Sequence, residues 1–265
     1  MKLGMSKAKN KKFNWIALTS LVGLIILWFV VTMAHLVKPL FLPSPGDFAN
    51  AAIQLFTQQN FSADIFASVS RVFLAFFLSL LLALPLALFM SEKKWVNELL
   101  SPYIDFIRYL PVPVLIPLTI MFFGIGEEAK LFLLFVGTFF QLILLILDNL
   151  KNIPKEYAET AYTIGFNKWQ TRQMKMNAIL PQLYDNCRIT LGWCWTYLVI
   201  AELVASDTGI GHMIKEAQRF SNTPNVYVGI LTMGLIGFFS DYIFKVLYPV
   251  FFAYKSSNNL ETSAE

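Results

Sequence analysis

Charge is what this chain has least of. Only 14% of its 265 residues are Asp, Glu, Lys or Arg, where soluble domains carry roughly a quarter. Hydrophobic residues make up 56%. That balance excludes an ordinary soluble globule and points to an all-α, polytopic membrane protein. Cysteine is nearly absent too. Cys187 and Cys194 are the only two. On one helix they would sit about 10 Å apart, too far to bridge, so they read as small packing residues. The two histidines, His35 and His212, are distant in sequence with no ligand pattern beside them. A metal site, or the acid–base cluster of a membrane enzyme, is therefore not expected. No GxxxxGK[ST] phosphate loop occurs; Gly124 and Gly126 are a lone pair with no nucleotide role. The chain is expected to bind no cofactor and to hydrolyse no nucleotide itself.

What is there is a series of long apolar runs. Residues 1–14 form a basic tail with five lysines. The run 15–36 that follows is longer than a signal-peptide core and reads as a retained first span. Residues 38–64 are more polar. In them 41–46 read as an extended turn, and Phe48, Ala51, Ala52, Leu55 and Phe56 form the stripe of a short surface helix. Further spans are expected over 65–90, 104–123, 131–147, 188–205 and 226–248, six in all. A polar turn is expected at 91–102, and a polar tail from 251 to 265. Gly229, Gly234 and Gly237 give the last span small faces for another helix. The net charge of +4 does not argue for nucleic acid, because the cations sit beside the apolar runs as membrane topology demands. With the N-terminus inside, fifteen Lys and Arg fall in inside segments and four in outside loops. That asymmetry orients both termini towards the cytoplasm.

Charges and prolines inside spans are the candidate functional residues, because both are costly in lipid. Arg71 and Glu202 are expected at one side of the membrane, pairing with each other or lining a solute route. Arg108 is expected towards the other side, within reach of Asp241. Pro111 and Pro113, with Pro117, interrupt the third span, whose freed carbonyls need a polar cavity. Arg71, Arg108, Pro111, Pro113 and Glu202 are the candidate pathway residues.

The remaining signal is the polar stretch 151–182, KNIPKEYAETAYTIGFNKWQTRQMKMNAILPQ. Pro154 suits a helix start. Tyr157, Ala158, Ala161 and Tyr162 fall on one helical stripe. Gly165 suits the left-handed stop. Asn167 with Gln170 has the spacing of a capping box, and Leu180-Pro181 is expected to stop the second helix. The sequence predicts a helical hairpin beside a membrane.

Glu159-Thr160-Ala161, then Gly165, then Leu180-Pro181 resembles the EAA loop of ABC-importer permeases, with Thr160 replacing an alanine and Lys175 standing where an apolar residue is commoner. The flanks FIRYLPVPVLIPLTIMFFGIGEEAK and RITLGWCWTYLVIAELVASDTGIG resemble the nitrate/taurine/sulfonate subfamily, over residues 39–250 or so. The resemblance implies the type I importer permease fold over residues 15–250. It implies a homodimer in a bacterial inner membrane, bound to two cytoplasmic ATPase subunits that carry the ATP and Mg, and fed by an extracytoplasmic solute-binding protein. That protein would dock around 43–56 and 209–220. Besides these partners the chain meets only membrane lipid. Glu159, Thr160, Ala161 and Gly165 would form the ATPase-coupling site, small residues there admitting a groove of the partner. The solute would be a small anion such as nitrate, bicarbonate, taurine or another sulfonate, moved by alternating access. An ion-gradient-driven secondary transporter is the competing expectation, but it would want mid-span acids and two related halves.

Overall fold

A computed structural model describes residues 15–253. The basic tail and all but the first residues of the polar tail lie outside the described residues. The chain is helical: α1 Trp15–Met33, α2 Pro45–Gln58, α3 Phe61–Glu92, α4 Lys94–Ile107, α5 Ile116–Phe123, α6 Glu127–Lys151, α7 Lys155–Ile164, α8 Lys168–Ala205, α9 Ile210–Arg219 and α10 Thr223–Phe251. Among the described residues, α3, α6, α10 and the Lys168–Val204 stretch of α8 are each long and apolar enough to cross a bilayer. A bent pair, Lys94–Ile107 with Val112–Phe123, adds a fifth if its two parts make one span, and α1 is a shorter apolar helix.

The core is a three-helix sheaf. α6 lies in the middle, with α3 on one side and α8 on the other. Its inward residues Leu134, Leu142, Ile143 and Ile146 are fully buried. Their spacing follows the 3.6-residue helical period, so one stripe meets each neighbour. Ser79 of α3 and Thr138 of α6 face each other at 2.7 Å. One hydroxyl donates to the other, which donates in turn to a carbonyl of its own helix, so neither is left unpaired in an apolar core. α9 packs on α10 and α8, and α2 on α10. Gly229 makes the α9–α10 approach possible: a Cβ there would lie 2.5 Å from the Ile214 side chain. Gly234 and Gly237 face open space instead. α1 is held by Trp28, whose Nε1 donates to the Pro43 carbonyl at 3.0 Å and whose ring meets Phe48 edge-on.

Four sequence expectations change. The turn at 41–46 is shorter than expected: Ser44 caps α2 in a capping box with Asp47, so Pro45 and Gly46 are already helical. The polar turn at 91–102 is mostly helix. Val96, Leu100 and Ile104 recur every four residues, and Val96 and Ile104 are buried, so the stripe carries a helix through Lys94 and Pro102. The third span is not one straight helix, because its two parts meet at 92°. Finally, α8 runs through Pro181 without stopping. A proline within a helix costs about 3 kcal/mol. Here Ile179, Leu183, Cys187, Leu191, Cys194 and Leu198 form one buried stripe on both sides of it. Burying several such side chains, at roughly 1.5–3 kcal/mol each, outweighs the lost hydrogen bond.

Candidate functional site

The break after α4 builds a cavity. Pro111 sits in an extended link (φ −62°, ψ 120°), Pro113 in the first turn of a 3₁₀ segment Val112–Leu115, and Pro117 in the first turn of α5. Each proline occupies a place where a backbone N–H has no helical partner, so the loss costs little. Ile116 before Pro117 is itself helical (φ −56°, ψ −51°), so the turn is made at the extended Pro111 link. The kink holds open about 370 Å³ between the link and the middle of α6 and α8. Arg108, Tyr109, Pro111 and Pro113 line one side, and Gln141 and Tyr197 the other. The cavity has a cation, an amide, two phenols and the Thr196 hydroxyl in an otherwise apolar wall. Gly137 shapes it: a Cβ there would lie 2.7 Å from the Tyr197 ring and 3.0 Å from Val112.

Arg108 does not pair with Asp241. Its Nε is 3.5 Å from Asp105, its Nη2 donates to the Tyr109 hydroxyl at 3.0 Å, and its guanidinium lies 4.7 Å from the Tyr109 ring centre. Asp241 takes Arg188 at 3.3 Å and Lys245 at 2.5 Å. The reason is helical register. Asp105 is three residues from Arg108 and Lys245 four from Asp241, so both acids find partners on their own helices. Arg108 remains 37% exposed at the cavity.

Arg71 and Glu202 do meet, at the far end of the bundle from the 151–182 hairpin. Arg71 Nη1 donates to Glu202 at 2.6 Å, and its Nε and Nη2 reach both oxygens of Glu127 at 2.6 Å. Arg71 also donates to the carbonyl and hydroxyl of Thr208. Glu202, wholly buried, accepts further from Ser68 at 2.8 and 2.9 Å and from the Gly211 N–H at 2.8 Å. Lys130 bonds Glu127 and Ser206. Asp64 accepts the Gly209 N–H at 2.7 Å. Gly209 (φ 111°) has a conformation that side chains resist, and a Cβ on it would strike Glu202 and Arg71. The network pins the segment before α9 onto α3, α6 and α8. Glu127, Lys130 and Ser68 were not singled out in the sequence. The signal available was Glu127 and Lys130 at the start of an apolar run, one turn apart.

The hairpin forms as expected at its turns. Pro154 precedes α7, and Gly165 adopts φ 76°, ψ 34°. The Gly165 and Phe166 N–H groups close the helix on Tyr162 and Ala161 at 3.1 and 2.9 Å, the left-handed stop that glycine permits. Asn167 and Gln170 bond reciprocally at 2.9 Å. Ala161 is buried, its small side chain letting α7 pack closely on its own chain. Glu159 and Thr160 are exposed. The most exposed large apolar groups are Tyr162 at 89%, Ile164 at 63% and Trp169 at 63%, with Tyr157 and Phe166 less exposed. Ile164 and Trp169 escaped sequence reasoning, since a residue's face is set by the packing of α7 on α8.

A model of the family described as binding-protein-dependent transport system inner membrane component matches residues 75–251. The chain belongs to this family. It is a transport component, not an enzyme. The taurine transport system permease protein TauC of Escherichia coli K12 is 29% identical over 244 residues, covering 87% of this chain and 89% of that protein. The putative aliphatic sulfonates transport permease protein SsuC of Bacillus subtilis 168 is 28% identical, covering 91% and 88%. Among solved structures, a chain of the MetNI methionine ABC transporter in inward-facing conformations superposes with a TM-score of 0.59 at 19% identity, covering 71% of this chain and 95% of that one. The fold is that of type I ABC-importer permeases, and this permease sits in a membrane through several apolar helices.

Proposed function

We propose that this permease forms the solute route of an ATP-driven importer, as a homodimer carrying two ATPase subunits on its hairpins. The observation that carries this reading is the exposed apolar face of the hairpin. Tyr162 and Ile164 project from a helix whose other exposed residues are mostly polar, and a solvated loop has no use for such a face. Glu159, Thr160 and the turn at Gly165 lie beside it. The hairpin end then faces the cytoplasm, with both termini, as the Lys and Arg asymmetry favours. ATP and Mg belong to the partner, and a solute-binding protein feeds the opposite end at α2 and α9. ATP binding closes the ATPase pair, moves the hairpins and flips the bundle between inward and outward access; hydrolysis resets it. The solute is a small oxyanion, with Arg108 as its counter-charge. Taurine, named for TauC, and the aliphatic sulfonates named for SsuC carry an anionic sulfonate group that suits that cation.

The test is purification in mild detergent with mass analysis of what accompanies the chain. A 2:2 complex with an ATPase is expected, and Tyr162→Ala combined with Ile164→Ala is expected to release the ATPase and leave a folded permease dimer. A stable complex without an ATPase, with uptake following an ion gradient, would overturn the reading in favour of a secondary transporter.

The cavity is tested separately by Gly137→Leu. The side chain must displace Tyr197 and Val112, an overpacking cost of about 1–3 kcal/mol, and it occupies the 370 Å³ space. Uptake is expected to be lost with the ATPase still bound. Wild-type uptake by this variant would exclude the cavity from the route.

A further inference from the structure

A second polar cavity lies at the hairpin end, away from the solute cavity. One chamber of about 720 Å³ is walled by the end of α3 and the start of α8, including Lys93, Lys168, Arg172 and Lys175. A neighbouring chamber of about 320 Å³ is walled by Lys94 and Lys151 together with Lys175. The two share Ser91, Glu92 and Lys175 as a common wall. Glu92 is taken by Arg172, which donates to both its oxygens at 2.8 and 2.7 Å. Lys94 reaches Glu98 at 3.7 Å. Among the described residues, Lys93, Lys151, Lys168 and Lys175 have no acidic partner within ion-pair distance. Lys175 is half-buried, a poor place for an unpaired ammonium unless an anion joins it.

The position narrows the anion. These chambers lie at the ends of α3 and α6 and the start of α8, beside the long apolar stretches of those helices. Trp169 lines the larger chamber and Trp95 follows Lys94 of the smaller one; they are 63% and 64% exposed, and tryptophans of this kind mark the bilayer interface. We propose that the chambers hold the phosphate headgroup of an anionic phospholipid, with Lys168 and Lys175 as its principal ligands. A lipid seated there touches the α8 end of the hairpin, so the bilayer's charge would bear on the hairpin's position.

The test uses the full chain in its complex, delipidated in mild detergent and titrated with short-chain phosphatidylglycerol or phosphatidylcholine under native mass spectrometry. Wild type is expected to retain phosphatidylglycerol selectively. Lys168→Gln combined with Lys175→Gln is expected to weaken that binding roughly 30-fold, since each lysine near a charged headgroup contributes about a factor of five. Lys175→Arg keeps the charge and is expected to keep the lipid, which separates loss of the site from loss of the fold. Equal retention of the two lipids, or unchanged binding by the double variant, would overturn the proposal. So would displacement of the lipid by millimolar inorganic phosphate, which would make the site one for a soluble anion. A double variant that keeps its lipid but sheds its associated protein would make the surface a protein contact.

Discussion

Arg71→Met is expected to cost about 3–5 kcal/mol of stability, because it strands a wholly buried carboxylate. Glu202 has no exposed surface. In the variant it keeps the Ser68 hydroxyl and the Gly211 N–H but loses its counter-charge. Glu127 can turn towards water, being 54% exposed, so the cost concentrates on Glu202. For a chain of this size the melting temperature in detergent should fall by roughly 10 °C. Adding Glu202→Gln is expected to restore most of the loss. The amide needs no counter-charge and retains acceptors and donors for Ser68 and Gly211. A single variant as stable as wild type would mean that the charge network is not formed in the membrane. A double variant no better than the single would shift the cost to Thr208 and the segment before α9, which Arg71 also holds.

Arg108→Gln is expected to lower the apparent affinity for transported solute about 10-fold in proteoliposomes, less than for a fully desolvated charge pair because Arg108 is 37% exposed. Basal ATP hydrolysis by the assembled complex is expected to continue, because Arg108 lies at the cavity and not on the hairpin. Arg108→Lys should recover part of the loss, keeping the charge but not the planar pair of donors that an oxyanion meets side by side. The partners of Arg108 argue that its removal leaves the fold intact: Asp105 is 49% exposed, and the Tyr109 contact is between neighbours in sequence. Uptake by Arg108→Gln with unchanged affinity would remove the guanidinium from the route, whatever the result with Gly137→Leu.

Several elements could be read without coordinates because their causes are local. The hairpin turn needs a residue that tolerates φ 76°, and Gly165 supplies it. The capping box needs Asn167 and Gln170 three residues apart, and both are there. Arg71 and Glu202 could be matched because two opposite charges in apolar runs have few partners other than each other. What escaped the sequence was non-local. The helix from Lys94 was hidden by its charged first residues, and only the burial of Val96 and Ile104 against the bundle reveals its stripe. Arg108 was assigned to Asp241 by depth alone, whereas i, i+3 and i, i+4 neighbours took both partners.

By itself the sequence determined a membrane-embedded helical chain, its hairpin, its proline-interrupted third span and its family likeness. Those properties follow from composition, from backbone limits on glycine and proline, and from spacing along one helix. Only the tertiary structure decided that Pro181 leaves α8 whole, that Ala161 faces inward while Tyr162 and Ile164 face out, and that the prolines bend the chain by 92° around a cavity holding Arg108. Each of these depends on which helix lies opposite. A helical hydrogen bond or a side chain's face can be overruled by a few kcal/mol of burial contributed from distant parts of the chain.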